Sequence, residues 1–294
     1  MAAPVPHHDE PPRVRLSGAP VDGYAGAMSA VASPEDFDLA AELVQEAGQL
    51  ALRMRSEGLT ASEKTSVSDV VTAADREAEA LVVNRLRQLR PDDGIVGEEG
   101  ASHQGTSGRS WVIDPVDGTY NFFAGSTYWC SAIALRSEPG PHESPGDPDV
   151  LLGAIYQPQE DRLWIGGKGV PATLNGAVIA PPDDEPLDRL SAGTYIHPTW
   201  LLRPEVTGPW TAAASRAATI RMMGSGSCDL ARVATGQSGA WFQHSCPEWD
   251  WLPGKAIVRA AGGSTAVVEV HGFRWHIAGT ATAVREIHAA LTSG

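Results

Sequence analysis

The stretch Trp111-Val112-Ile113-Asp114-Pro115-Val116-Asp117-Gly118-Thr119 carries an apolar strand straight into two carboxylates. Its aromatic and β-branched residues favour a pleated strand. Pro115 fixes the turn that follows, and Gly118 lets the backbone approach a ligand closely. Asp114 and Asp117, crowded at one strand end, repel each other unless a cation sits between them. Carboxylates, a backbone carbonyl and the Thr119 hydroxyl are hard oxygen donors, which suit Mg²⁺ or Mn²⁺ rather than zinc. An ordinary Asp-Gly turn uses the same residue types, so the surrounding sequence has to decide.

Two further strand-end or helix-end acids flank this stretch. Gly94-Ile95-Val96 runs into Gly97-Glu98-Glu99-Gly100, and Trp249-Asp250-Trp251-Leu252-Pro253-Gly254 opens a helix expected over about 250–261. Asp250 is there either an N-cap or a third site acid, and Pro253 falls in the first turn, where a missing N–H costs little. Ser33-Pro34-Glu35-Asp36 reads as a helix start, and apolar residues recur at helical spacing from Phe37 to Met54 before Gly58. A second helix starts near Thr72, with Asp75 as a capping-box-like acid, and stops at Pro91. Strands are expected at 94–97, 110–113, 128–136, 150–157 and 163–165, and a surface loop at 138–148. After a Pro- and acid-rich boundary at 181–186, strands at 190–196, 219–223, 240–242 and 264–270 alternate with helices at 211–218, 227–235 and 283–291. His271 and His276 are placed beside a turn. This mixture without a regular βαβ period predicts an α/β, or layered α+β, architecture. Three regions follow: a disordered arm at 1–33, a half at 34–182 holding most of the acids, and a half at 183–294 completing the site. The arm also reads as an extension upstream of a start near Met28.

Composition narrows the function. The chain has 294 residues, 42% hydrophobic and 20% charged, with a net charge of -14. That acidity argues against nucleic-acid polymers and anionic membranes as partners. Cys130, Cys228 and Cys246 are too few and too scattered for a disulfide framework. No apolar run approaches the ~18 residues of a membrane span, and the expected compartment is the cytoplasm. Phosphate-binding G-x-x-x-x-G-K-[ST], dinucleotide-binding G-x-G-x-x-G, G-x-S-x-G and H-E-x-x-H patterns are all missing from the sequence. Oxygen chemistry remains.

Taken together, Glu98-Glu99, Asp114-Pro115-Val116-Asp117-Gly118-Thr119 with Asn121-Phe122, and Trp249-Asp250 with Gly254 and Ala261-Gly262-Gly263 resemble the inositol monophosphatase family. Lys64, Asp69, Val71, Thr72 and Asp75 match its Lys-x-x-x-x-Asp-x-Val-Thr-x-x-Asp element, and Gly224-Ser225-Gly226 match its glycine-bearing turn before a helix. The resemblance spans roughly Asp36 to Leu291. It implies a stacked α-β-α-β-α sandwich and a Mg²⁺-dependent phosphomonoesterase, similar to the fructose-bisphosphatase superfamily. By position it implies Glu98, Asp114 and the Val116 carbonyl around one Mg²⁺, and Asp114, Asp117 and Asp250 around a second. A third, weaker ion would lie near Glu98, and Mn²⁺ would substitute. Thr119, bonded to Asp75, would orient the attacking water with help from Glu98, while Gly118 and Thr119 offer N–H groups to phosphate. Gly224, Ser225, Gly226, Gln243 and Asp250 would contact substrate. A homodimer is the family tendency.

The implied substrate is a small alcohol phosphate, foremost myo-inositol monophosphate. Histidinol phosphate, 3'-phosphoadenosine nucleotides and sugar bisphosphates are the alternatives, and a regulatory protein that keeps the fold is the non-enzymatic one. Three departures bear on selectivity. Tyr120 follows Thr119 where the family often has a small or basic residue. Gln243 stands where inositol-preferring members carry Glu, and Trp251-Leu252-Pro253 replaces small residues after Trp-Asp.

Overall fold

The computed structural model describes residues 31–58, 61–63, 70–138 and 147–293. Lys64, Asp69, the loop around Glu143 and the arm up to residue 30 lie outside the described residues. Helix α1 (Pro34–Glu57) starts as its sequence predicts, with Ser33 as N-cap, Pro34 in the first turn and the Asp36 carboxylate accepting the Ser33 N–H at 2.9 Å. Strands β1 (Ala61–Glu63) and β2 (Val70–Thr72) pair antiparallel, and α2 (Ala73–Leu89) follows with Thr72 as N-cap.

The first large sheet is built from β3 (Gly94–Gly97), β4 (Ser102–His103), β5 (Arg109–Asp117), β6 (Cys130–Ser137), β7 (Val150–Gln157), β8 (Arg162–Gly167), β9 (Val170–Leu174) and β10 (Ala177–Val178). Its strand order is β10-β9-β8-β7-β6-β5-β3-β4, antiparallel except for the parallel pair β3–β5. A short helix, α3 (Thr119–Phe123), leaves the end of β5. The second sheet holds β11 (Ser191–Thr194), β12 (Thr219–Arg221), β13 (Ala240–His244), β14 (Ser264–Val270) and β15 (Phe273–Gly279), in the order β12-β11-β13-β15-β14. Helices α4 (Pro204–Ala214), α5 (Gly226–Ala234), α6 (Glu248–Ala260) and α7 (Ala281–Thr292) complete the chain.

Strand alternation sorts the side chains into layers. Trp111, Ile113, Ile133 and Leu135 point to α1 and α2, whereas Val112, Ala132 and Ala134 face α5 and α6. In the second sheet Trp241 and Ala278 meet the same middle layer, while Phe242, Trp275 and Ile277 pack under α4 and α7. The result is the α-β-α-β-α sandwich. Close approach in the middle layer depends on a missing side chain: a Cβ on Gly153 of β7 would lie 2.2 Å from the Pro253 carbonyl of α6.

Several local expectations change. The helix placed at 211–218 occupies 204–214, because Pro204 opens it and Gly208 and Pro209 obscure its periodicity. The turn expected between His271 and His276 falls at His271–Gly272, and buried His276 lies beyond it in strand β15, where it pairs with Gln243 and Val267. Its alternation is blurred because both faces are covered. Helix α6 begins at Glu248 behind Pro247, so Asp250 is its third residue and not its N-cap, and Pro253 lies past the first turn. Trp251 is buried and stacks on Trp241 at 5.8 Å between ring centroids. Leu252 and Pro253 are buried beside it, so these three residues pack in the middle layer and not in the cavity lining.

Candidate active site

Asp114 and Asp117 are an odd number of residues apart, and in a regular strand they would point to opposite faces. The pairing of β5 with β6 prevents this. Asp114 is opposite Ala132 and Asp117 is opposite Cys130, so Pro115 and Val116 together face Ser131 alone. One extra residue therefore makes a β-bulge, the place within a sheet where Pro is tolerated. The Ser131 hydroxyl donates to the Pro115 carbonyl at 2.6 Å, and Val116 N–H donates to Asp114 Oδ1 at 3.1 Å, which pins the irregular segment. The two carboxylates consequently converge. With Asp250 they present oxygens that all lie within 4.8 Å of one another.

Each acid is held by a different element. The Ser227 N–H at the start of α5 donates to Asp117 Oδ2, a position where the helix dipole also favours negative charge. Asp250 sits in the first turn of α6, with the same electrostatic advantage. Glu98 follows β3, and its N–H donates to the Ile113 carbonyl at 3.2 Å. Its turn is tied to α2 by Glu79, a buried carboxylate that accepts the Glu99 N–H at 2.9 Å and the Ala101 N–H at 3.0 Å. Glu79 had no signal in the sequence beyond being an acid on a helix.

Burial, then the charges of Glu98, Asp117 and Asp250, push the Asp114 carboxyl well above the usual carboxylate range. Asp117 is also raised, by burial against the opposing hydrogen bonds from α5. Carboxylates assembled at this cost fit a divalent cation, and the all-oxygen donor set, with the Val116 carbonyl on the same cavity wall, fits Mg²⁺ or Mn²⁺. Asp75 is buried, and burial raises it to about 6 against the hydrogen bonds from Thr72. The Thr72 hydroxyl and the Thr72 N–H, the latter at 3.0 Å, both donate to Asp75 Oδ2, while Oδ1 has no hydrogen-bond partner. The Thr119 hydroxyl is donated to the Val116 carbonyl at 3.1 Å rather than to Asp75. The expected Thr119–Asp75 bond is thus not the arrangement seen, although Thr119 is near enough to lower Asp75 slightly.

Glu98, Asp114, Val116, Asp117, Thr119 and Asp250 border one cavity of about 610 Å³, whereas Asp75 and Glu79 lie outside its lining. Gly118, Thr119, Gly224, Ser225, Gly226 and Gln243 line it as well, so the sequence-predicted substrate residues are brought together. Ser225 caps α5, accepting the Cys228 N–H at 3.3 Å. Gly118 and Gly224 both have positive φ, at 91° and 82°. A Cβ on Gly118 would come within 3.0 Å of the Gly224 carbonyl, so the two loops touch backbone to backbone. The cavity lining contains no Lys or Arg among the described residues. Tyr195, Ile196, Pro198, Met222, Met223 and Asp229 also line it, and none was singled out from sequence. Asp229, the fourth residue of α5, accepts a hydrogen bond from the Tyr128 hydroxyl at 2.5 Å.

Over 196 residues the chain is 34% identical to Nus factor SuhB of Xylella fastidiosa, covering 66% of this chain and 68% of that protein. It is 31% identical over 218 residues to inositol-1-monophosphatase of Rhizobium meliloti, covering 70% and 74%. Among solved structures, the extragenic suppressor protein SuhB of Bartonella henselae superposes with a TM-score of 0.76 at 26% identity, covering 87% of this chain and 98% of that one. Inositol monophosphatase of Anabaena gives a TM-score of 0.72 at 25% identity, covering 87% and 94%. The profile of the inositol monophosphatase family matches residues 34–292, which include every acid of the cavity, and the chain belongs to that family.

Proposed function

We propose that the protein is a Mg²⁺-dependent phosphomonoesterase that hydrolyses a small alcohol phosphate by in-line attack of water. The observation that carries this reading is the convergence of Asp114, Asp117 and Asp250 within 4.8 Å, in a cavity lined by no Lys or Arg among the described residues. A phosphate dianion cannot approach such acids unless cations reverse the field. Bound Mg²⁺ would supply an activated water near neutral pH and neutralise the leaving oxygen. Glu98, Asp114 and the Val116 carbonyl would hold one Mg²⁺, and Asp114, Asp117 and Asp250 a second.

The chain's own groups do the positioning. Turned from the Val116 carbonyl toward Asp75 Oδ1, the Thr119 hydroxyl would accept a hydrogen bond from the attacking water without taking its proton. Glu98 receives the proton the water gives up. Backbone N–H groups of Gly118 and Thr119 would serve the phosphate oxygens as preset donors, whereas those of Ser227 and Cys228 at the start of α5 are taken by Asp117 and Ser225. Phosphomonoester hydrolysis is among the slowest uncatalysed reactions, with enzymatic accelerations up to ~10²¹, so placement and electrostatics have to supply most of the effect.

Names of relatives favour myo-inositol monophosphate, with histidinol phosphate, 3'-phosphoadenosine nucleotides and sugar bisphosphates as alternatives from the same superfamily. A homodimer in the cytoplasm, without nucleic-acid polymers or membranes as partners, completes the proposal. Among the described residues no helix is long and apolar enough to cross a membrane. The name Nus factor, carried by one relative, supports a second reading: a binding protein that has kept the fold. The full complement of Glu98, Asp114, Asp117, Thr119 and Asp250 at the cavity favours the enzyme. A phosphate-release panel of those four substrate types, with Mg²⁺ and with a chelator, decides between them. Turnover of at least one, abolished by the chelator, is expected; no release from any leaves the binding reading.

A further inference from the structure

The cavity lining has two chemically different parts. Asp114, Asp117 and Ser225 at the start of α5 are its buried part, whereas Tyr120, Pro198, Met222 and Met223 are its exposed part, with Tyr195 half-buried. Tyr120, Met222 and Met223 are 51%, 45% and 42% exposed. Single exposed apolar side chains are ordinary, but these line one cavity. Their arrangement is built in. Asn121, next to Tyr120, donates through Nδ2 to the Met223 carbonyl at 2.7 Å and to the Tyr128 carbonyl at 2.9 Å. The same two loops meet at Gly118 and Gly224. The segments that carry Tyr120 and the methionine pair are thereby tied to each other through Asn121.

Thioether sulfurs and aromatic faces pack favourably on flat rings, and Met adapts its shape to the ring it meets. A polyol makes the opposite demand, because each hydroxyl stripped of water needs a replacement partner. The apolar wall supplies none. The polar side chains beside that wall are the two tyrosine hydroxyls, Asn121, whose Nδ2 is engaged by the Tyr128 and Met223 carbonyls, Gln243, and Asp229, which is engaged by Tyr128. Gln243 also lacks the charge of a carboxylate acceptor.

We infer that the alcohol released here carries a flat aromatic or heteroaromatic ring seated against Tyr120 and Met222–Met223, and that such phosphates are preferred to polyol phosphates. This rests on the phosphomonoesterase reading and names its substrate class. The test compares kcat/KM with Mg²⁺ for histidinol phosphate and benzyl phosphate against myo-inositol 1-phosphate and glycerol 2-phosphate. The ring-bearing esters should lead by at least about tenfold, the scale of one or two ring contacts. Tyr120→Ala and Met222→Ala should each lower that ratio at least about threefold. A polyol preference, or a ratio that neither substitution moves, overturns the inference while leaving the phosphatase standing. Calorimetric binding of the free alcohols needs no turnover. Histidinol and benzyl alcohol bound more tightly than myo-inositol would support the inference even if no ester is hydrolysed, and equal or weaker binding would overturn it.

Discussion

Asp114 is the residue on which the proposed chemistry turns, and its surroundings make two opposed demands. Burial and the neighbouring Glu98, Asp117 and Asp250 disfavour its charge, whereas a cation ligand must carry it. Asp114→Asn keeps the shape and removes the charge. Without metal, this variant should be more stable than wild type by about 1–2 kcal/mol in urea unfolding, because repulsion is relieved. Phosphatase activity of Asp114→Asn or Asp250→Asn should fall at least about a thousandfold, a loss of several kcal/mol of charge stabilisation, with the circular dichroism spectrum retained. Near wild-type turnover in either variant would sink the metal assignment. Both acids were legible in sequence from their place beside apolar runs. Glu79 was not, since only its two backbone hydrogen bonds to the Glu98 turn reveal its use. As a positioning residue it should matter through affinity: Glu79→Ala should weaken Mg²⁺ binding about 10- to 100-fold in a titration of activity.

At the level of elements, the β5 bulge, the start of α5 and the first turn of α6 bring the acids together. The sequence placed a Pro-fixed turn after Ile113, whereas β5 runs on to Asp117 through a bulge that accommodates Pro115. Its effect on side-chain direction needed the pairing with β6, which no local pattern contains. Helix α6 depends on the same sheet through Gly153, where a Cβ would meet the Pro253 carbonyl at 2.2 Å. Gly153→Ala should therefore push α6 from β7 and destabilise the protein by about 1–3 kcal/mol in chemical denaturation. Because α6 carries Asp250, activity should fall with it. Unchanged stability would mean that the middle layer yields without cost. Strand β15 and helix α3 went unread for a simple reason: one is covered on both faces and the other is five residues long.

For the whole molecule, buried titratable groups shape stability against pH with opposite signs. Burial lowers His276 to about 4, so it is neutral in the fold; its contribution is full above its ordinary value of 6.5 and is lost as pH falls toward 4. Burial and the Asp117 charge raise Asp229 to about 7, opposed by Tyr128 and Arg232. Its contribution is full below 3.8 and is lost as pH rises through 7. Asp229→Asn can still accept the Tyr128 hydroxyl, and it should raise the melting temperature at pH 8 by at least about 2–4 °C, with little change at pH 4. A gain at pH 4 as large as at pH 8 would show that titration is not the cause. The net charge of -14 belongs to this scale too. It argued from sequence against anionic partners, yet the fold gathers part of it into one cavity, where cations would invert the field for a small phosphate. The sequence by itself pointed to a mixed, layered architecture from its helix and strand patterns, and to the inositol monophosphatase family through its ordered acidic motifs, because both are written in local stretches of the chain. Only the tertiary structure decided which way Asp114 and Asp117 face, what holds the Glu98 turn, and which apolar side chains wall the cavity. Those depend on strand register and on contacts between distant loops, and neither leaves a mark on neighbouring residues in the sequence.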